Sequence, residues 1–540
     1  MENKFKNVMN TCATCLKKIQ ISSLIFSVLF SFMMICSRHI NIPADMEASN
    51  FENTTFTDVH LIDLMFFIGI AVLVYMVVSN IRLLKKETFF ETETRGKWSV
   101  PQLIICAVVM LLCWTPYVFS NWPGGVYNDT MNSIWIAMGT DPFTSHEPVL
   151  YTLLWKLMFG VFGGSLEPGD YGAMYAFTII QPIMFIATFT AFLGWCYKNG
   201  MKRWVITALT LVFALFPLYP FYGISLWKDS VFGIIVFLYS WNLYVLGQEI
   251  KNNNDISVRN LVFYILTSVG VVFGRNNGIY IVILVSIILV LMYLKTKALL
   301  KKLGISSVAV IILSLIIQHP VFDALDYNVD TVVESLAVPL QQTAFIVSTG
   351  GTYSDKDAEV INNIMPLENW SQVYEPMISD YLKFDGSFDR NYLSENTGKY
   401  LATYLHLCLE NPVKAVKSYM ITTLGYWDIF RANSSAYISP SCVAWTGIFQ
   451  GDYFGYYTGV SFNDLVMPRK YISAAIFDWF MVLVLCISLS KKKKERIPAI
   501  LPGVGVFITI MLAAPLAFSF RYIFALVMCV PLYFICLIDE

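Results

Sequence analysis

The chain has 540 residues, of which 56% are hydrophobic, 15% aromatic and only 14% charged, with 37 Lys and Arg against 38 Asp and Glu. A composition this apolar and this poor in charge excludes the ordinary soluble folds and reads as an integral membrane protein. The net charge of −1 carries no signal for nucleic acid, and no basic tract with interleaved aromatic residues suggests it, so that partner class is set aside.

Apolar runs of about 16 to 25 residues recur along the chain, and a bilayer core about 30 Å thick takes about 20 helical residues to cross. Unpaired backbone groups cannot face lipid, so these runs are expected to be helices. About twelve spans are predicted, starting near Ile21, Leu61, Val100, Tyr171, Arg203, Val231, Val258, Ile279, Ile305, Tyr471, Ile497 and Tyr522. The first follows Lys4, Lys6, Lys17 and Lys18 as a signal sequence would. It is long and has no clear small-residue cleavage site, so it is expected to be retained.

Charge sets the orientation. The segments assigned to the inner side, from Lys4 through Lys491 to Lys494 and Arg496, hold 23 basic residues, and the short segments opposite hold four: Arg38, Lys228, Arg275 and Arg521. The positive-inside rule then puts both termini in the cytoplasm. One apolar run, Val149 to Gly163, must not cross, because counting it would place Lys295 to Lys302 and Lys491 to Lys494 outside. It is short and carries Lys156 in its middle, which suits a helix lying in the outer interface.

The expected architecture is therefore an all-α integral membrane protein of about twelve transmembrane helices with interfacial helices. Residues 1–99 hold a cytoplasmic segment and two spans; 100–319 form a transmembrane core with a first outer loop at 121–170. Residues 320–470 form a mainly helical extracytoplasmic loop domain of roughly 150 residues, large enough to cover the membrane face, and 471–540 hold the last spans. Within the loop domain, Thr331 to Val347 and Asn411 to Trp427 read as helices, the second with Asn411 as N-cap and Pro412 at the first helical position. Cys12 and Cys15 make a lone C-x-x-C with no second pair for a metal, and Cys408 and Cys442 fall in the outer loop where a disulfide is permitted.

Polar residues collect on the outer side. Asp129 follows the turn-forming Trp122-Pro123-Gly124-Gly125, where a partly desolvated carboxylate suits either a general base or the cap of a helix beginning at Thr130. His146 and Glu147 precede Pro148, so His146 suits either a catalytic role or a capping turn, with Asp141 and Glu147 as further carboxylates. Lys228 with Asp229 opens the sixth span, Arg275 with Asn276 and Asn277 fills the turn after the seventh, and Arg521 stands in a short turn before the last. A cation at a helix start gains nothing from the dipole, so an anionic ligand at headgroup level is one reason for Lys228 and Arg275; pairing with Asp229 and with lipid headgroups is the other. Gln341 and Gln342 suit either sugar hydroxyls or a polar helix face, and the aromatic run from Tyr426 to Tyr457 suits either sugar stacking or an interface belt.

These motifs, in this order, resemble the integral-membrane glycosyltransferases of the C-type superfold (GT-C). The resemblance runs from about Val100 to Tyr522 and is carried by Asn128-Asp129, by His146-Glu147-Pro148 heading an apolar helix, and by Leu226-Trp227-Lys228-Asp229, Arg275-Asn276-Asn277-Gly278-Ile279-Tyr280 and Val338-Pro339-Leu340-Gln341-Gln342, which look like a little-characterised bacterial branch. It implies a polyprenyl-phosphate sugar donor and transfer to the hydroxyl of an extracytoplasmic glycan or polymer at a multi-pass bacterial cytoplasmic membrane. It implies Asp129 as the base, with His146 beside it, and Lys228, Arg275 and Arg521 on the donor phosphate. Glu147 stands where the pattern has His meeting Pro directly. No cofactor is implied, and no paired acidic motif marks a metal; members of the superfold differ in their use of a divalent ion. The competing expectation is a transporter or flippase of lipid-linked sugars, which would carry charged or Gly/Pro-broken spans at mid-membrane.

Overall fold

A helix coincides with each predicted span in the computed structural model, which describes residues 20–41, 55–91, 100–144, 147–167, 169–317, 332–431, 448, 451–466, 472–513 and 516–539. The principal helices are α1 (Ile21–Arg38), α2 (Leu61–Asn80), α3 (Val100–Ser120), α4 (Asn128–Met138), α5 (Val149–Phe162), α6 (Gly172–Lys198), α7 (Arg203–Leu215), α8 (Leu218–Ile224) and α9 (Lys228–Asn253). They continue with α10 (Val258–Gly274), α11 (Gly278–Met292), α12 (Lys297–Ile316), α13 (Ala337–Ser348), α14 (Asp355–Ile364), α15 (Thr397–Glu410), α16 (Pro412–Thr422), α17 (Ala475–Ser490), α18 (Ile497–Ala513) and α19 (Phe520–Ile535). Among the described residues the only sheet is a two-residue pairing of Ile40–Asn41 with Thr55–Phe56.

Seven helices, α1, α2, α3, α6, α9, α12 and α18 with the turn before it, are long and apolar enough to cross a membrane. The pair α7 and α8, bent by 51°, makes an eighth if it is one span. The others at predicted spans, α10, α11, α17 and α19, are apolar but only 15 to 17 residues long. The chain is thus all-α, with the helix lengths of a multi-pass membrane protein. Helix α5, expected to lie in the interface, has 14 residues.

The centre of the molecule is α9, which packs against α10, α18 and α19 and is enclosed for most of its length. At the opposite extreme α2 leaves nearly all its apolar surface outward, as a lipid-facing helix would. The turn joining α10 to α11 is tight because Gly278 opens α11: an added Cβ would stand 1.8 Å from the Val271 carbonyl oxygen.

Residues 332–431 form a helical unit in which α13 packs on α16. Its far end is fastened beside the start of α19, since the Tyr426 hydroxyl donates to Leu516 O at 2.7 Å and Gly425 N to Ala517 O at 2.9 Å. Arg431 reaches the end of α1, pairing with Asp428 at 2.9 Å and donating to Ser37 O at 2.8 Å. Asn411 stands at the N-cap position of α16 with Pro412 in its first turn, as the sequence predicts. The Asn411 side chain makes no capping hydrogen bond to α16. It instead exchanges hydrogen bonds with the Thr352 backbone, accepting from N at 2.8 Å and donating to O at 2.7 Å, so that one amide satisfies both groups of that residue. Cys12, Cys15 and Cys442 lie outside the described residues.

Candidate functional site

The site is built by two chain segments laid side by side. After α3, Gly125 N donates to Ile224 O at 3.0 Å and Gly125 O accepts from Leu226 N at 2.9 Å. Gly124 permits this approach: its φ is +99°, and a Cβ there would lie 2.9 Å from Ile224 O. From α6 the Gln181 side chain donates to the carbonyls of Tyr222, Gly223 and Ser225, and the Thr130 and Tyr151 hydroxyls each donate to Leu226 O at 2.5 Å. The first turns of α4 and α9 are thereby locked together, with Asp129 the second residue of one and Lys228 the first of the other.

Asp129 is therefore not the cap of a helix beginning at Thr130. Helix α4 starts at Asn128 with Tyr127 at the cap position, and Asp129 lies inside its first turn, where a carboxylate is favoured by the helix dipole. Arg521 likewise does not stand in a turn, because α19 begins at Phe520 and carries Arg521 in its own first turn.

These residues meet in one ionic lattice. Lys228 Nζ lies 3.2 Å from Asp129 Oδ2 and 3.1 Å from Glu147 Oε2. Arg521 Nη1 donates to the same Asp129 Oδ2 at 3.0 Å, and its Nη2 donates to the Tyr522 hydroxyl at 2.7 Å. The Arg521 guanidinium also stacks over the Trp227 and Tyr522 rings, 4.9 and 4.7 Å from their centroids. Trp227 in turn stacks on Tyr127, with centroids 3.9 Å apart. Arg275 also lies over the Tyr522 ring, 5.1 Å from its centroid, and places Nη1 2.5 Å from Asp229 Oδ1.

Three carboxylates thus face three cations. Glu147 and Asp229 are buried, while Asp129, Arg275 and Arg521 are each about one-fifth exposed and form the open rim. Lys228 and Arg521 sit at helix starts, where the dipole disfavours a cation; Arg275, at the end of α10, is favoured by it. Buried donors at the site have no hydrogen-bond partner among the described residues: Arg521 Nε, Trp227 Nε1 and the Tyr222 hydroxyl.

The lattice brings together Asp129, Lys228, Asp229, Arg275 and Arg521. It does not include Gln341 or Gln342, whose side chains serve the helical unit instead. Gln341 donates to Glu375 O at 2.9 Å, and Gln342 donates to Ala415 O at 2.8 Å and accepts from the Tyr404 hydroxyl at 2.6 Å. Asn277 ties the α10–α11 turn to α18 through Thr509, at 2.8 Å, and Asn276 lies in the same turn. His146 lies outside the described residues. The aromatic run divides: Tyr426 and Trp427 are buried, and Phe430, Tyr456 and Tyr457 are exposed. Glu147, ranked only as a reserve carboxylate, is a member of the lattice, as are the platforms Trp227 and Tyr522. Among the described residues no group of three or more His, Cys, Asp and Glu side chains is arranged to hold a metal ion.

Residues 130–540 match the profile of a family of unknown function, DUF6020. The chain belongs to that family. The DUF6020 match begins one position after Asp129 and takes in Glu147, Lys228, Asp229, Arg275 and Arg521. No curated protein and no solved structure matches the chain.

Proposed function

We propose that this chain is a GT-C-like membrane glycosyltransferase that moves a sugar from a polyprenyl-phosphate donor to a hydroxyl of an extracytoplasmic glycan or polymer, in modification of the cell envelope. In this reading about twelve helices cross a bacterial cytoplasmic membrane, both termini are cytoplasmic, α5 lies in the outer interface and residues 320–470 form the extracytoplasmic domain. The observation that carries it is the single oxygen, Asp129 Oδ2, on which Lys228 and Arg521 converge at 3.2 and 3.0 Å. Two cations aimed at one oxygen, at the ends of apolar helices, suit a phosphate lying at headgroup depth.

The chemistry follows from the same groups. Asp129 takes the proton of the acceptor hydroxyl as its oxygen bonds to the sugar C1. The bond from C1 to the phosphate oxygen breaks with its electron pair on the phosphate, and Lys228, Arg521 and Arg275 stabilise the added charge. A carboxylate and cations gathered at one partly enclosed rim let a polar acceptor meet an oily donor.

The test is turnover of a polyprenyl-phosphate sugar by the purified chain and by Asp129→Asn. Loss of transfer with normal expression and insertion supports the assignment; wild-type-like turnover by Asp129→Asn removes the base. Translocation of a lipid-linked sugar without any transfer would favour the flippase.

A further inference from the structure

Departure of Asp129 leaves each cation of the lattice with another partner. Lys228 keeps Glu147, whose Oε2 is itself held by the Ser133 hydroxyl at 3.0 Å and is enclosed by protein. Arg521 keeps the Trp227 and Tyr522 platforms and its hydrogen bond to the Tyr522 hydroxyl. Arg275 keeps Asp229. Asp129, by contrast, is at the rim with 21% of its side chain exposed, and it satisfies two cations with one oxygen. Arg521 Nε and Trp227 Nε1, on residues of the same lattice, are buried donors with no hydrogen-bond partner among the described residues, so the lattice offers more donation than its carboxylates take up.

We infer that Asp129 Oδ2 occupies the position of a phosphate oxygen, so that a phosphate ester binds by displacing the Asp129 carboxylate from Lys228 and Arg521. This deepens the proposed function and rests on its phosphate clamp. Displacement and activation are then one event. While paired to two cations the carboxylate is a poor proton acceptor, and once the phosphate takes both cations it is released beside the donor as a base. A site of this kind stays idle toward hydroxyl groups until the donor arrives. Glu147 acts as the positioning residue, fixing Lys228 so that the cation does not follow Asp129 out.

The experiment uses the full chain in lipid nanodiscs and measures binding of a polyprenyl monophosphate, with the matching polyprenol, phosphatidic acid vesicles and inorganic phosphate as parallel probes. Removing the competing charge in Asp129→Asn is expected to tighten polyprenyl monophosphate binding about fivefold or more, the low end of the coupling usual between two interacting groups in a protein. Polyprenol binding is expected to be unchanged, and Lys228→Ala and Arg521→Ala are expected to weaken the phosphate probe. If those two variants lose affinity while Asp129→Asn shows no gain, the exchange is wrong and the clamp stands. If all three bind like the wild type, the clamp fails and the exchange with it. An equal gain with phosphatidic acid or inorganic phosphate upholds the exchange and assigns it to that source instead. Should Asp129→Asn not fold, the wild-type protein decides: carbodiimide labelling of Asp129 in the presence of an amine is expected to rise when polyprenyl monophosphate is added, and unchanged or lower labelling overturns the inference.

Discussion

Glu147 Oε2 lies 3.1 Å from Lys228 Nζ, with only 1% and 10% of the two side chains exposed. Stranding one charge of such an enclosed pair costs roughly 3–5 kcal/mol, whereas removing both charges together costs far less. Lys228→Met is therefore expected to lower stability by about that amount, and adding Glu147→Gln to recover a good part of it. Denaturation midpoints of the purified single and double variants check this; a double variant no more stable than Lys228→Met would show that Glu147 does not depend on Lys228.

Gln342 separates structural from binding roles. With hydrogen bonds to Ala415 O and from the Tyr404 hydroxyl, it is expected to behave as part of the helical unit. Gln342→Leu removes both of these hydrogen bonds from a buried position and is expected to cost about 1–3 kcal/mol while leaving donor affinity as it was. Reduced donor affinity at unchanged stability would return Gln342 to the sugar-binding role.

Gly278 offers a backbone test of the Arg275 turn. Gly278→Ala drives a methyl group into the Val271 carbonyl of the facing helix, and the backbone there has no side-chain slack to yield. A loss of about 1–3 kcal/mol or more is expected, accompanied by weaker donor binding because the Arg275 turn shifts. Gly304→Ala, in α12 with nothing within 4 Å of the added carbon, is the control and is expected to be neutral or slightly stabilising. Similar midpoints for both variants would contradict the packing argument.

Acid sensitivity is expected in the helical unit. Burial works against ionisation of Asp357, but hydrogen bonds from the Ser354 hydroxyl and N–H and from His406 outweigh it and hold the carboxyl below the ordinary carboxylate value. The unfolded chain then takes up a proton more readily than the folded one, so the stability Asp357 contributes is present above about pH 4 and is lost as pH falls through the lowered folded value. Thermal midpoints measured from neutral pH downward are expected to fall less steeply below about pH 4 in Asp357→Asn than in the wild type. Parallel curves would remove Asp357 as the titrating group.

The helices were legible because length and apolarity are local properties. Each predicted span has its helix, although α12 begins at Lys297, well before Ile305, since Lys297, Lys301 and Lys302 extend it past its apolar part. Cap chemistry was less legible. Asn411 and Asp129 carry residue types that suit caps, and each side chain is taken up by a partner distant in sequence, Thr352 in one case and Arg521 in the other. The convergence of the lattice was foreseeable only as far as charge counting put Asp129, Lys228, Arg275 and Arg521 on one side. Glu147 escaped because its partner lies 81 positions away, and nothing in its neighbours Ser145, His146 and Pro148 distinguishes a buried counter-ion from a turn residue.

Arg521 follows Asp129 by 392 positions, and that distance has a consequence for how the protein is made. A ribosome delivers Asp129, Glu147, Lys228, Asp229 and Arg275 long before the helix that carries Arg521. Over that interval the chain holds all three carboxylates of the lattice but only two of its three cations. Packing of α19 against α9 supplies the third cation, Arg521. The lattice is therefore completed only when α19 has been made, so the candidate site depends on segments from both ends of the described chain.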